Sequence, residues 1–171
     1  NIEFKTLEKP KLNLKFNKIS TQIKNKVKKI KENILIVGAS SGIGFDILNI
    51  LKINKKIKIF STYNKNKIKL DQKNIKKIKV NLIKDLSIIK KILNKYSPLI
   101  IYYFATPKIN IILNNKHTMQ LYKKFYIDYP LKIISFSRNN KIKFFYPSTI
   151  FIDKKINSNY TKVKKLGENI L

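Results

Sequence analysis

Tyr160 and Lys164 stand four residues apart, a spacing that brings a phenol and an ammonium to one face of a helix. On such a face the positive charge lowers the phenol pKa from about 10 toward working pH, so the phenol can give or take a proton. Ser148, twelve residues before Tyr160, adds a hydroxyl able to hydrogen-bond an oxygen on which charge develops. The pair by itself carries little information. Nine tyrosines and 37 lysines in 171 residues produce about two Tyr-x-x-x-Lys matches by chance, and the chain holds two, the second being Tyr63 with Lys67. Order and position separate the first match from the second, because Ser148 and Tyr160 both come after one apolar run, Ile142 to Tyr146.

Three of the chain's four glycines, Gly38, Gly42 and Gly44, fall within seven residues. They belong to the run Ile34-Leu35-Ile36-Val37-Gly38-Ala39-Ser40-Ser41-Gly42-Ile43-Gly44, which reads as a buried strand, a small-residue turn and a helix start. In such a turn one glycine permits the tight bend, one lets the backbone approach a pyrophosphate, and one packs the helix on the strand. The helix N-terminus then offers unpaired amides to the phosphates. The Gly-Lys-Ser/Thr ending of the nucleoside triphosphate loop is absent.

Short apolar runs alternating with amphipathic stretches must position these groups. Strands are expected at Ile34–Val37, Ile57–Thr62, Ile78–Leu82, Leu99–Phe104 and Ile142–Tyr146, and helices at Ile43–Leu51, Lys84–Asn94, Thr118–Phe136 and Asn159–Leu171. That alternation predicts an α/β fold with a doubly wound parallel sheet over residues 33–171. Pro130 is expected to kink or interrupt the third helix. Residues 1–32 carry closely spaced lysines, Pro10 and weak helical periodicity from Ile19 to Ile30, and read as a basic linker or the tail of an upstream region, either a linker helix or a disordered arm.

The Gly-x-x-x-Gly-x-Gly spacing with Ala39-Ser40-Ser41 inside it, then Ser148 and Tyr160-x-x-x-Lys164, resembles the short-chain dehydrogenase/reductase family over about Ile34 to Leu171. The resemblance implies a Rossmann-type domain that interconverts a carbonyl and an alcohol with NAD(P)(H). Ser148, Tyr160 and Lys164 would be the catalytic set, with Lys164 also holding the nicotinamide ribose. Gly38, Ser40, Ser41, Gly42, Ile43, Gly44, Asn81 and Ala105 would contact the cofactor. In dinucleotide folds a carboxylate about 20 residues past the glycines selects NAD. Here Ser61-Thr62-Tyr63-Asn64-Lys65 holds no acid, so Ser61, Asn64 or Lys65 could bond a 2′-phosphate, Tyr63 is a further candidate contact, and the lean is toward NADP(H) over NAD(H).

The resemblance has gaps. Phe104-Ala105-Thr106-Pro107 stands where the family shows Asn-Ala-Gly, and Asp128 is the nearest polar candidate for the family's relay asparagine. Family members continue with two further strands and a substrate-binding loop, so the chain is expected to be a fragment, truncated before the last strands. Alternatives are a sugar-nucleotide epimerase or dehydratase of the same superfamily, and a non-catalytic basic binding protein on a Rossmann frame.

The formal charge of +29 would ordinarily point to a polyanionic partner. Lys, Ile and Asn together make 89 of the 171 residues, however, and the lysines run evenly from end to end. A solvated lysine coat from whole-chain compositional bias is the expected reading, with a small-molecule carbonyl or alcohol substrate and no specific nucleic acid partner. The chain has no cysteine and one histidine, His117, so no metal site is expected. Without an apolar run of about 20 residues, the expectation is a soluble cytoplasmic protein with no membrane contact, homo-oligomerisation of the full-length protein being left open.

Overall fold

The computed structural model describes residues 16–96, 99–109, 114–137, 141–153 and 157–171. In chain order the elements are α1 (Phe16–Lys28), β1 (Asn33–Val37), α2 (Gly42–Leu51), β2 (Ile59–Tyr63), β3 (Ile75–Lys79), α3 (Ser87–Lys95), β4 (Leu99–Tyr103), α4 (Lys116–Lys123), a π-helical turn (Lys124–Asp128), α5 (Tyr129–Ser135), β5 (Ile142–Phe145), α6 (Ile150–Asp153) and α7 (Asn159–Ile170). The five strands form one sheet in the order β3-β2-β1-β4-β5, and every pairing is parallel. The order reverses between β1 and β4, and that switch point is where open α/β sheets bind ligands.

The central strand explains the layering. Ile34, Leu35, Ile36 and Val37 are all fully buried, which is why β1 reads as an unbroken apolar run. Ile34 and Ile36 pack with Leu48 and Leu51 of α2, Val27 of α1 and Ile59. Leu35 and Val37 face the other way, into a layer with Ile89, Ile92 and Leu93 of α3, Ile133 of α5 and Tyr103. Residues 16–28 form the helix α1, and Asn54 fixes its end by donating to the carbonyls of Val27 and Ile30, both at 2.9 Å. Among the described residues no helix is long and apolar enough to cross a membrane.

One expectation changes and another takes a particular form. The third strand lies at Ile75–Lys79 rather than Ile78–Leu82, because its register is set by β2, from Ile59 opposite Ile75 to Tyr63 opposite Lys79. Val80 and Leu82 are buried as the chain leaves the sheet, so their apolar character signalled core and not strand. As expected, the α-helical register of the long helix is interrupted beside Pro130, by the π-helical turn, without the helix ending there. The hydrogen-bond register slips one turn earlier, Tyr129 N–H reaching back five residues to Lys124 O, and the helix continues through Pro130 to Ser135. Proline has no amide to offer the Phe125 carbonyl, and the Tyr103 hydroxyl of β4 donates to that oxygen at 2.7 Å instead.

Candidate active site

The glycine loop leaves β1 at Gly38, whose φ of +90° belongs to the left-handed region. A Cβ there would lie 2.7 Å from the Ala105 nitrogen, so Gly38 also allows the loop to rest on the chain leaving β4. A Cβ on Gly44 would collide with the Gly38 carbonyl oxygen, which makes Gly44 the packing glycine of α2 on the strand. Gly42, at φ +55°, has nothing within 4 Å of where its Cβ would be. The loop is therefore bare of side chains at its crown, and Ser41, the N-cap of α2, makes no capping bond with its hydroxyl. Thr62 pins the loop to β2: its Oγ1 accepts from Gly38 N–H at 3.0 Å and its carbonyl from Ala39 N–H at 2.8 Å.

The catalytic set and most of the expected cofactor contacts come to one cleft of about 710 Å³ over the carboxyl ends of the strands, whereas Ser61, fully buried in β2, and Asp128 lie outside its lining. Gly38, Ser40, Ser41, Gly42, Ile43 and Gly44 form one wall; Tyr63, Asn64, Lys65 and Asn81 form the end beyond β2 and β3; Ala105, Ser148, Tyr160 and Lys164 form the opposite side. Among the described residues no Asp or Glu lines it. Asn81 folds its own loop, its side-chain oxygen accepting from Ile83 N–H at 3.1 Å, which leaves its amide group to donate. Ser148 is exposed, just past β5.

Tyr160 is 7% exposed and packs edge-to-face against Tyr122, Tyr126 and Phe151, with centroids 5.8, 5.5 and 6.0 Å away. Its place is set by the start of α7. Ser158 caps the helix by accepting from Thr161 N–H at 3.1 Å. The buried Asn159 locks it to the start of α4: its backbone N–H donates to Asn114 Oδ1 at 2.7 Å, and its amide group to Asn115 O at 2.8 Å and Thr118 Oγ1 at 3.0 Å. Lys164, one helical turn after Tyr160, is 2% exposed. Its ammonium donates to the Pro147 carbonyl and lies 3.8 Å from the Tyr146 ring centroid and 5.0 Å from that of Tyr126. Burial pushes its pKa down to about 8, against a smaller upward pull from Glu168.

Several cleft residues gave no signal in the sequence. Tyr126 sits in the π-helical turn, faces the cleft and hydrogen-bonds Thr106 of the loop after β4, and burial holds its pKa above the usual tyrosine range. Asp128, the expected relay residue, is exposed and lies outside the cleft lining, because the turn carries it round to the solvent side. Tyr126 is thus the polar side chain that the long helix presents here. Tyr103, Thr62 and Tyr146 also line the cleft. A hydroxyl at the end of β2 was the one legible hint for Thr62. Lys67 of the second Tyr-x-x-x-Lys match is exposed, and Tyr63 lies on β2 rather than on a helix.

No protein-family model matches the chain, and no curated protein matches it. Solved structures do. A short-chain dehydrogenase family protein from Francisella tularensis superposes with a TM-score of 0.67 at 20% identity, covering 82% of this chain and 61% of that one. UDP-glucuronic acid 4-epimerase from Bacillus cereus, in complex with UDP-4-deoxy-4-fluoro-glucuronic acid and NAD, gives 0.64 at 17% identity, covering 81% and 50%. The FolM alternative dihydrofolate reductase 1 from Brucella canis, complexed with NADP, gives 0.60 at 14% identity, covering 84% and 65%. The chain shares their α/β Rossmann-type fold and spans half to two thirds of their length.

Proposed function

We propose that the chain is the cofactor-binding part of an NAD(P)(H)-dependent oxidoreductase of the short-chain dehydrogenase/reductase type, acting on a small carbonyl or alcohol. The observation that carries the reading is convergence. A glycine loop after β1 and a Ser-Tyr-Lys set after β5, far apart in the chain, face one cleft that no carboxylate of the described residues lines. The second match, Tyr63 with Lys67, brings only its tyrosine to the cleft, because Lys67 is not in the lining.

The cleft fits a dinucleotide. The bare crown at Gly42 leaves room for a pyrophosphate against the first turn of α2, where partial positive charge favours anions. Tyr63, Asn64 and Lys65 take the adenosine end, and with no acid to repel it a 2′-phosphate is accommodated, which favours NADP(H). Asn81 can donate to the adenine and Ala105 keeps the floor low beneath the nicotinamide side. The nicotinamide, when bound, supplies or accepts the hydride.

The rest is work for this chain's own side chains. Ser148 donates a hydrogen bond to the substrate oxygen as charge builds there. Tyr160 gives that oxygen its proton in reduction, or removes it in oxidation. Lys164, one turn away, brings positive charge to the phenol and holds the nicotinamide ribose. The likeness to a UDP-glucuronic acid epimerase favours a second reading, a nucleotide-sugar epimerase, in which the same set removes and returns a proton around an internal hydride exchange.

Fluorescence titration with NADPH and NADH, beside Gly42→Asp, tests the proposal. Binding abolished by the added carboxylate supports the dinucleotide site, and the tighter cofactor settles the 2′-phosphate question. Failure of both cofactors to bind overturns the oxidoreductase reading. Turnover of UDP-sugars, without net change of NAD(P)H absorbance, would select the epimerase.

A further inference from the structure

The side chains around Lys164 assign a role to a residue outside the Ser-Tyr-Lys set. β5 alternates, so Phe144 and Tyr146 point toward the layer of α5 and α7, whereas Phe145 turns to the other face and packs, tilted, against Tyr102 and Phe104. Tyr146 therefore leaves the strand directly beneath α7. On α7, residues 160, 164 and 167 recur at helical spacing and share one face. Gly167 has no side chain on that face, and a Cβ there would lie 2.7 Å from the Tyr146 hydroxyl oxygen and 2.8 Å from the Tyr126 carbonyl. The fourth glycine of the chain is thus the notch that admits the Tyr146 ring, one turn beyond Lys164.

The hydroxyl of Tyr146 is buried and has no hydrogen-bond partner among the described residues, which is a cost. Its contact with Lys164 is made through the ring face. The ring face lies 3.8 Å from the Lys164 ammonium, closer than the Tyr126 ring at 5.0 Å. We propose that Tyr146 is the positioning residue for Lys164: its ring face, with Tyr126 behind it, forms an aromatic slot that keeps the buried ammonium charged and directed along the Tyr160 face of α7. This rests on the reading of Lys164 as the cofactor-ribose and phenol-charging group. The titratable groups around the ammonium are Tyr146 after β5, Tyr126 in the π-helical turn, and Tyr160 and Glu168 on α7 itself. Of these Glu168 is the carboxylate; it is exposed and gives a smaller upward pull, the Pro147 carbonyl accepts from the ammonium, and the ring faces add their attraction at close range.

The test compares Tyr146→Phe, which keeps the ring, with Tyr146→Leu, which keeps apolar bulk alone. In isotope-labelled protein the Lys164 side-chain resonance, identified by its loss in Lys164→Met, is tracked against pH. Phenylalanine should leave its titration midpoint in place, and leucine should move it to lower pH, because the charged form has lost its ring. Tyr146→Met fills the space if leucine unfolds the chain. In NADPH binding, leucine should weaken affinity by about tenfold and phenylalanine by less than about twofold. On a Lys164→Met background the leucine substitution should then have almost no further effect. A phenylalanine variant that behaves like leucine, an unmoved midpoint in the leucine variant, or full additivity with Lys164→Met overturns the proposal. The titration needs no cofactor, so absence of NADPH binding would refute the proposed function while the lysine measurement still decides the role of Tyr146.

Discussion

Lys164 is the residue whose surroundings are most at odds with its chemistry. It is a lysine 2% exposed, touching a carbonyl and two aromatic faces, with a pKa near 8 where a free side chain has 10.5. Between those two values the unfolded chain binds more protons than the folded one, so this group adds stability as pH rises from about 8 to 10.5 and imposes its full cost below 8. Lys164→Met should be more stable than the parent at pH 7, and the difference should shrink as pH climbs through that window, read as urea midpoints of the two proteins side by side. Tyr160→Phe makes a complementary case. It should retain NADPH affinity within about threefold and lose any carbonyl-reducing turnover by about a hundredfold or more, as expected for removal of a general acid. A variant that turns over normally would remove Tyr160 from the mechanism.

At the scale of elements, the long helix between β4 and β5 is bent to the needs of the cleft by its π-helical turn. The slip in register is what brings Tyr126 round to Thr106, Tyr160 and Lys164, and it leaves the Phe125 carbonyl to be satisfied by the Tyr103 hydroxyl at 2.7 Å. Tyr103→Phe should therefore cost about 1–3 kcal/mol in equilibrium unfolding, the penalty for a buried carbonyl left without a donor. Pro130→Ala supplies an amide at the same place and should recover part of that loss when combined with it; purely additive effects would show that the two do not share the carbonyl. The glycine loop gives the sharper element-level expectation. Gly44→Ala drives a methyl into the Gly38 carbonyl and should unfold or severely destabilise the domain, whereas Gly42→Ala meets open space and should cost only about 1 kcal/mol of left-handed strain.

For the whole molecule the charge dominates. A formal +29 over 171 residues means that like charges repel in the compact state, and the ion pairs seen, Lys77 with Asp71 at 3.1 Å and Lys143 with Glu32 at 2.6 Å, lie at the surface where they contribute little. Raising salt from about 20 to 200 mM should therefore raise the melting temperature, because screening weakens repulsion more than it weakens these pairs. NADPH, carrying several negative charges into an acid-free cleft, should raise it further at constant salt. Any binding to nucleic acid should fade with salt equally for all sequences; a sequence preference that survived would revive the basic-binding-protein alternative.

The sequence by itself determined the frame and the addresses. Periodicity placed four of five strands within two residues at either end, since buried parallel strands read as apolar runs, and it marked the glycine loop because Gly38 and Gly42 need positive φ and Gly44 needs the absence of a Cβ. It also named Ser148, Tyr160 and Lys164, and all three line the cleft. What it could not reach depends on side chains far apart in the chain. β3 takes its register from β2, and the polar residue that the long helix turns to the cleft is Tyr126 rather than Asp128, because one slipped hydrogen bond rotates the residues of that turn about the helix axis. The burial of Lys164 against Tyr146 and Tyr126 likewise belongs to tertiary structure. No local pattern records that a glycine in α7 makes room for a ring leaving β5, since that contact exists only when strand and helix are packed together.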